Sequence, residues 1–166
     1  PIRYSETCPS SDGAAAMVIV HESVADNSPN PAWIHAGAMR SEANNFPGRD
    51  EVNPQASREC AADLWEQAGI TNPREEIDVA ELYVPFSWYE PMWLESLGFC
   101  DRGDGWKMVE SGATHIDGGD LPVNCSGGVL SSNPIGASGM IRFAEAALQV
   151  RGMAGDHQVK GAKKAV

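Results

Sequence analysis

Apolar residues along this chain fall into two kinds of pattern. The run Ala14 to Val20 is continuously apolar, bounded by Asp12-Gly13 before it and His21-Glu22 after it, and predicts a buried strand. A second strand is expected from Ala32 to Ala38, and a third from Ile77 to Val84, with Ile77, Val79 and Leu82 apolar. Helical spacing takes over elsewhere. Ala56, Cys60, Ala61, Leu64, Trp65 and Ala68 form one stripe, with Asn53-Pro54 as N-cap and first-turn proline and Gly69 as the stop. Met140 to Val150 repeats the signal through Ile141, Ala144, Leu148 and Val150, with Ser138 as the cap, Gly152 as the stop and a largely buried helix expected. Ser87-Trp88-Tyr89-Glu90 reads as a capping box opening a short helix that ends near Gly98. Residues 26–31 form a turn-rich connector, Asn44 to Asn53 a loop, and Asp101 to Asp120 an exposed excursion rich in glycine and acid.

The resulting βαβα order predicts an α/β fold, a mixed or parallel sheet covered by helices, with no internal repeat. Composition adds a single domain over 166 residues with 42% hydrophobic and 21% charged residues, and no apolar stretch long enough to span a bilayer. A net charge of -11 argues against nucleic acid as the main partner, because a phosphate-binding surface needs lysine and arginine. It leaves room for a local basic patch. Cys8, Cys60, Cys100 and Cys125 are scattered without CxxC or zinc spacing and no signal peptide is visible, so a reducing cytoplasm is expected. Pro1 and the Lys163-Lys164-Ala165-Val166 end both read as cuts in a longer chain.

Candidate chemistry concentrates between Asn124 and Gly139, where glycines and small hydroxyl residues form a loop that opens a helix. Ser126, Gly127, Gly128, Gly136 and Ser138 allow close backbone approach and offer N–H groups to an oxygen. The same composition also suits an ordinary turn and cap. No lysine follows the glycines, which argues against a Walker-type phosphate loop. Cys125 has no basic neighbour in sequence and is not assigned as a nucleophile. His21, His35, His115 and His157 are isolated, with His35 expected as a packed ring in the second strand, and no metal is implied.

These residues carry a resemblance. Ser126-Gly127-Gly128 followed by Asn133-Pro134-Ile135-Gly136-Ala137-Ser138-Gly139 resembles the catalytic loop of the C-terminal half of the thiolase superfamily. Ser11-Asp12-Gly13-Ala14-Ala15-Ala16 resembles the strand that starts that half, and Ala68-Gly69-Ile70 with Pro73 to Glu81 resembles the approach to its other catalytic loop. The wording is most similar to the sterol carrier protein thiolases and the lipid-transfer group, which includes steroid side-chain aldolases. The resemblance implies the second βαβαβαββ half of a thiolase-like fold with its last two strands missing.

It also implies chemistry on acyl-CoA thioesters. Two loops depart from the thiolase pattern: Asn133-Pro134 stands where His-Pro is usual, and Tyr83-Val84-Pro85-Phe86 where His-Asp-Cys-Phe is usual. A histidine takes a proton near neutral pH and an asparagine does not, so Asn133 could orient a carbonyl or water without activating a thiol. Tyr83 could donate to an oxyanion, as in the aldolases, which also place tyrosine in this loop. Against these roles stand a core ring for Tyr83 and a turn residue for Asn133. Phe86, Ser126, Gly127, Gly128, Pro134, Gly136 and Ser138 are the implied substrate contacts. Trp88, Trp93, Phe86 and Met92 either line an acyl or sterol pocket or pack in the core. The expected function is carbon–carbon bond chemistry on CoA thioesters in lipid or sterol metabolism. Its alternatives are retro-aldol cleavage of a β-hydroxyacyl-CoA and a degenerate acyl-CoA or lipid binder. No cofactor beyond the CoA thioester substrate is expected. The implied partners are the remaining thiolase half, a second copy in a homodimer and an OB-fold protein.

Overall fold

The short extended segment 78–82 organises the computed structural model, which describes residues 2–43 and 47–166. On one side Asp78 N–H donates to the Lys164 carbonyl at 2.9 Å and Glu81 N–H to the Val166 carbonyl at 2.8 Å. On the other, Ala80 N–H donates to the Pro122 carbonyl at 3.0 Å and its own carbonyl accepts from Asn124 N–H at 2.8 Å. The segment is thus flanked on both sides, but without the regular period-two alternation of a strand: Asp78 and Ala80, two residues apart, donate to opposite neighbours. Both neighbours run parallel to it, through the single bridges Val79–Ala165 and Ala80–Val123.

Helices surround this segment: α1 (Gln55–Ala68), α2 (Pro73–Glu76), α3 (Tyr89–Ser96), α4 (Gly105–Glu110), α5 (Gly128–Ser131) and α6 (Ser138–Arg151). The main core joins Ile77, Ala80, Leu82 and Val84 to Leu94 of α3, Phe99 and Leu121. Trp65 of α1 docks on it edge-on to Phe99, with ring centroids 6.2 Å apart, and its indole N–H reaches the Leu97 carbonyl at 2.8 Å. α1 ends at Gly69 as the spacing predicts, where φ of 66° favours a residue without Cβ. Its N-cap is Pro54 rather than Asn53.

The α/β expectation is overturned, since among the described residues only isolated bridges occur and no sheet forms. Residues 14–20 and 32–38 make no backbone hydrogen bond to another segment among those described. Instead of a buried strand, the first run exposes Val18 at 89% and Ile19 at 66%; in the second, Trp33 and Ile34 are more than half exposed and His35 is an exposed ring. An apolar, β-branched run favours extended backbone, but it becomes a strand only where a neighbour completes its hydrogen bonds. Segment 77–84 has neighbours, yet each pairs with it at a single bridge.

Three local expectations also change. The Ser87 capping box does not form: α3 starts after Trp88, Ser87 N–H donates to the Glu6 carbonyl at 3.0 Å, and the Glu90 carboxyl bonds Thr114 instead. The excursion 101–120 contains α4, which packs on α3 and buries Met108 and Thr114. Helix α6 ends at Gly152 as expected but turns a polar face inward, burying Ser138, Arg142, Glu145 and Gln149 while Met140 and Phe143 lie exposed. In the Asn44–Asn53 loop, Asn44, Asn45 and Phe46 lie outside the described residues.

Candidate functional site

Three stretches distant in sequence meet at one place. Residues 6–8 run against the 85–87 loop, where Thr7 bridges Phe86 in antiparallel fashion and Cys8 N–H donates to the Pro85 carbonyl at 2.9 Å. The same N-terminal stretch then touches the 133–134 loop. Asn133 donates from Nδ2 to Cys8 Sγ at 3.1 Å and from its backbone N–H to Ser11 Oγ at 3.3 Å. A Cβ on Gly13 would lie 2.7 Å from Pro134 Cγ, so only glycine lets the backbone close on that ring.

Asn133 is therefore buried and held on several sides, with Ser138 Oγ donating to its Oδ1 at 2.6 Å. Ser138 spends its hydroxyl on this tie and not on capping α6, whose N-cap is Ala137. One N–H of the Asn133 amide is left over. Tyr83 presents the opposite picture. Its ring is 40% exposed, its carbonyl is fixed by the Trp93 indole N–H at 2.8 Å, and its hydroxyl has no partner among the described residues. Phe86 stacks on Tyr89 at 6.1 Å, and Tyr89 lies against Trp88 and Trp93 at 4.1 and 5.7 Å. Trp88 faces solvent while Met92 is core, so the aromatic run divides between surface and interior.

The glycine loop is anchored by two residues that the sequence pattern did not single out. Asn124 adopts φ of 54° and accepts the Leu82 N–H on Oδ1 at 2.7 Å. Glu81 accepts both Ser126 N–H at 3.1 Å and Ser126 Oγ–H at 2.7 Å. Ser126 Oγ then receives Gly128 N–H at 3.3 Å, and Gly127 takes φ of 92°. Gly136 lies on the exposed side of the loop, where an added Cβ would meet nothing within 4 Å, and Pro134 is half-buried.

Behind the loop sit two buried acids, Glu81 and Glu145. Arg142 Nε lies 3.4 Å from Glu81 Oε2, and His157 Nε2 lies 2.9 Å from Glu145 Oε1. Burial pushes the Glu81 carboxyl up, while its two bonds from Ser126 and the Arg142 guanidinium pull the other way. Burial, with Glu81 and Glu145 nearby, pushes the Cys125 thiol up to about 12, leaving it a protonated and poor nucleophile. Two signals could have found these anchors: an acid set inside the apolar run around Glu81, which needs buried partners, and an asparagine three residues before a Gly-Gly pair. Cys8 carried no signal of its own, and the Ser11 motif did not point to Asn133, since that partner lies more than a hundred residues away from both.

Comparison with known proteins follows the same loops. Residues 38–166 match the family model described as thiolase C-terminal domain-like. An acetyl-CoA acetyltransferase of Methanothermobacter thermautotrophicus is 35% identical, the match covering 98% of this chain and 43% of that protein. Sterol carrier protein 2 of Bos taurus is 36% identical, over 97% of this chain and 31% of its own length. Among solved structures, an Ltp2-ChsH2(DUF35) aldolase superposes with a TM-score of 0.74 at 31% identity, covering 85% of this chain and 37% of the other. The chain thus spans less than half the length of each of these proteins.

Proposed function

Because this chain belongs to the thiolase C-terminal domain-like family, we propose that its parent protein carries out carbon–carbon bond chemistry on acyl-CoA thioesters, with retro-aldol cleavage as its reaction. The observation that carries this reading is the pair of loops in which the glycine scaffold is kept while tyrosine and asparagine occupy the places of the usual histidines. Thiolysis requires a thiol to be deprotonated, and neither Tyr83 nor Asn133 is a base suited to that at neutral pH. Retro-aldol cleavage requires donors at a developing oxyanion instead. The similarity to a solved aldolase supports the choice, and the similarity to an acetyltransferase supports the thioester.

In the proposed reaction a β-hydroxyacyl thioester binds with its carbonyl oxygen at the free Tyr83 hydroxyl. The proton of the substrate's β-hydroxyl leaves to a base supplied by the rest of the parent protein, that oxygen forms a C=O bond to Cβ as the Cα–Cβ bond breaks, and the Cα–Cβ electron pair moves onto the thioester as an enolate. Tyr83 stabilises that oxygen, Asn133 offers its remaining amide N–H to the same carbonyl, and protonation at Cα releases the shortened acyl-CoA and a carbonyl compound. Phe86, Ser126, Gly127, Gly128, Pro134, Gly136 and Ser138 form the proposed substrate-facing wall. The exposed apolar residues Val18 to Val20, Trp33 and Ile34 are the proposed surface for the remaining part of the parent protein.

The test is chromatography of CoA products after the intact parent protein meets a β-hydroxyacyl-CoA or, separately, a 3-ketoacyl-CoA with free CoA. Shortened acyl-CoA from the hydroxy substrate alone is expected. Product from the keto substrate would restore thiolysis. Binding of both without any product would favour an acyl-CoA or lipid carrier, the reading that loss of both histidines also accommodates.

A further inference from the structure

A buried primary amide can sit in either of two orientations that exchange its oxygen with its NH2 group, and what it presents to a ligand changes from donor to acceptor with the exchange. At Asn133 the surroundings decide. Its side chain meets Ser138 Oγ on one side at 2.6 Å and Cys8 Sγ on the other at 3.1 Å. A separation of 2.6 Å lies within the range of an O–H donor on a carbonyl oxygen and below that of an N–H donor on a hydroxyl, so the atom facing Ser138 is Oδ1. Nδ2 then faces Cys8, whose sulfur accepts weakly. The backbone is held as well, through Asn133 N–H on Ser11 Oγ at 3.3 Å and the close approach of Gly13 to the Pro134 ring. Ser138 is fully buried among these contacts and Asn133 nearly so. The amide is thus fixed from two other stretches of chain, residues 8–13 and the start of α6, and one N–H of Nδ2 keeps no partner among the described residues.

We infer that Ser138 and Cys8 are positioning residues for Asn133: together they hold its amide oxygen inward, so that the group meeting the substrate carbonyl is an N–H, the polarity a developing oxyanion requires. The inference rests on the retro-aldol reading above, in which Asn133 acts at that carbonyl. Both side chains act through the amide. A reversed amide would set oxygen against oxygen and repel the charge as it develops, which the two contacts prevent.

The experiment measures kcat and KM for β-hydroxyacyl-CoA cleavage by the intact parent protein carrying Ser138→Ala, Cys8→Ala or Cys8→Ser, each alone and together with Asn133→Ala. Ser138→Ala should lower kcat about tenfold and Cys8→Ala about threefold, the scales of one neutral hydrogen bond and of a weaker one to sulfur, with KM within about twofold because the contact matters most once charge has developed. Cys8→Ser, which keeps an acceptor, should hold kcat within about twofold of wild type. With Asn133→Ala already present, neither Ser138→Ala nor Cys8→Ala should lower kcat further, since each acts only through the amide. If Asn133→Ala or Ser138→Ala does not fold, Asn133→Leu and Ser138→Gly replace them with the same pattern expected. Losses that add to that of Asn133→Ala, or a kcat unchanged by Ser138→Ala, overturn the positioning role and leave the retro-aldol reading standing. No cleavage by wild type removes both.

Discussion

At Asn124 two requirements meet: a left-handed backbone at φ of 54° and a side-chain acceptor for the Leu82 N–H at 2.7 Å. Asparagine tolerates that backbone better than most residues, and its short amide reaches the donor. Asn124→Ala should therefore destabilise the parent protein by about 1–3 kcal/mol, as an orphaned N–H and a strained Cβ residue would. Urea unfolding monitored by intrinsic fluorescence measures this, and an unchanged midpoint would contradict the anchoring role. Glu90 gives a pH-dependent counterpart. Its carboxyl is raised above the ordinary value of 4.5 by burial, with the Thr114 bond opposing. A raised acid binds its proton more tightly when folded, so its stabilising contribution is full below pH 4.5 and is lost as pH rises through the folded value. Glu90→Gln should gain stability relative to wild type as pH increases across that window, read from unfolding midpoints at several pH values. A difference that stays flat with pH would refute it. The partners were not legible at the sequence level: an asparagine ahead of Gly127-Gly128 could have marked Asn124 as an anchor and Glu90 read as half of a capping box, but Leu82 and Thr114 are brought in by the fold.

Helix ends were legible and helix faces less so. Gly69 and Gly152 stop α1 and α6 where the spacing puts them, because positive φ at a helix end is a local demand. The inward face of α6 is a tertiary matter. Glu81 already sits inside the core, and the arginine, glutamate and glutamine at positions 142, 145 and 149 face inward with it, against the apolar periodicity. The strands failed for a related reason: residues 14–20 and 32–38 have the right composition but no neighbour among the described residues to pair with. Close packing of α3 and α4 supplies a test at this scale. A Cβ at Gly105 would stand 2.4 Å from the Pro91 carbonyl oxygen, a contact that backbone cannot relieve without moving a helix. Gly105→Ala should cost about 1–3 kcal/mol, the range for overpacking, in thermal unfolding of the parent protein. Full retention of Tm would show that the two helices can separate freely.

For the molecule as a whole, the family was legible because its signature lies in contiguous motifs, while the site had to be assembled. The 85–87 loop that follows Tyr83 and the loop at Asn133 are joined through residues 6–11, of which only Ser11 belonged to a sequence motif. No helix among the described residues is long and apolar enough to cross a membrane. The exposed Val18, Ile19 and Trp33 should be covered by the rest of the parent protein. Hydrogen exchange should then show amides 14–20 protected in the parent and rapidly exchanging in residues 1–166 alone; equal exchange in both would place the covering surface elsewhere. The central claim is that Tyr83 replaces a histidine as an oxyanion donor in carbon–carbon cleavage. It is tested most directly by the rate of β-hydroxyacyl-CoA cleavage by the parent protein and its Tyr83→Phe variant. The account predicts a loss of about 10²–10³ in kcat for Tyr83→Phe with unfolding unchanged, the scale of one lost oxyanion donor; cleavage at the wild-type rate in the variant would contradict it.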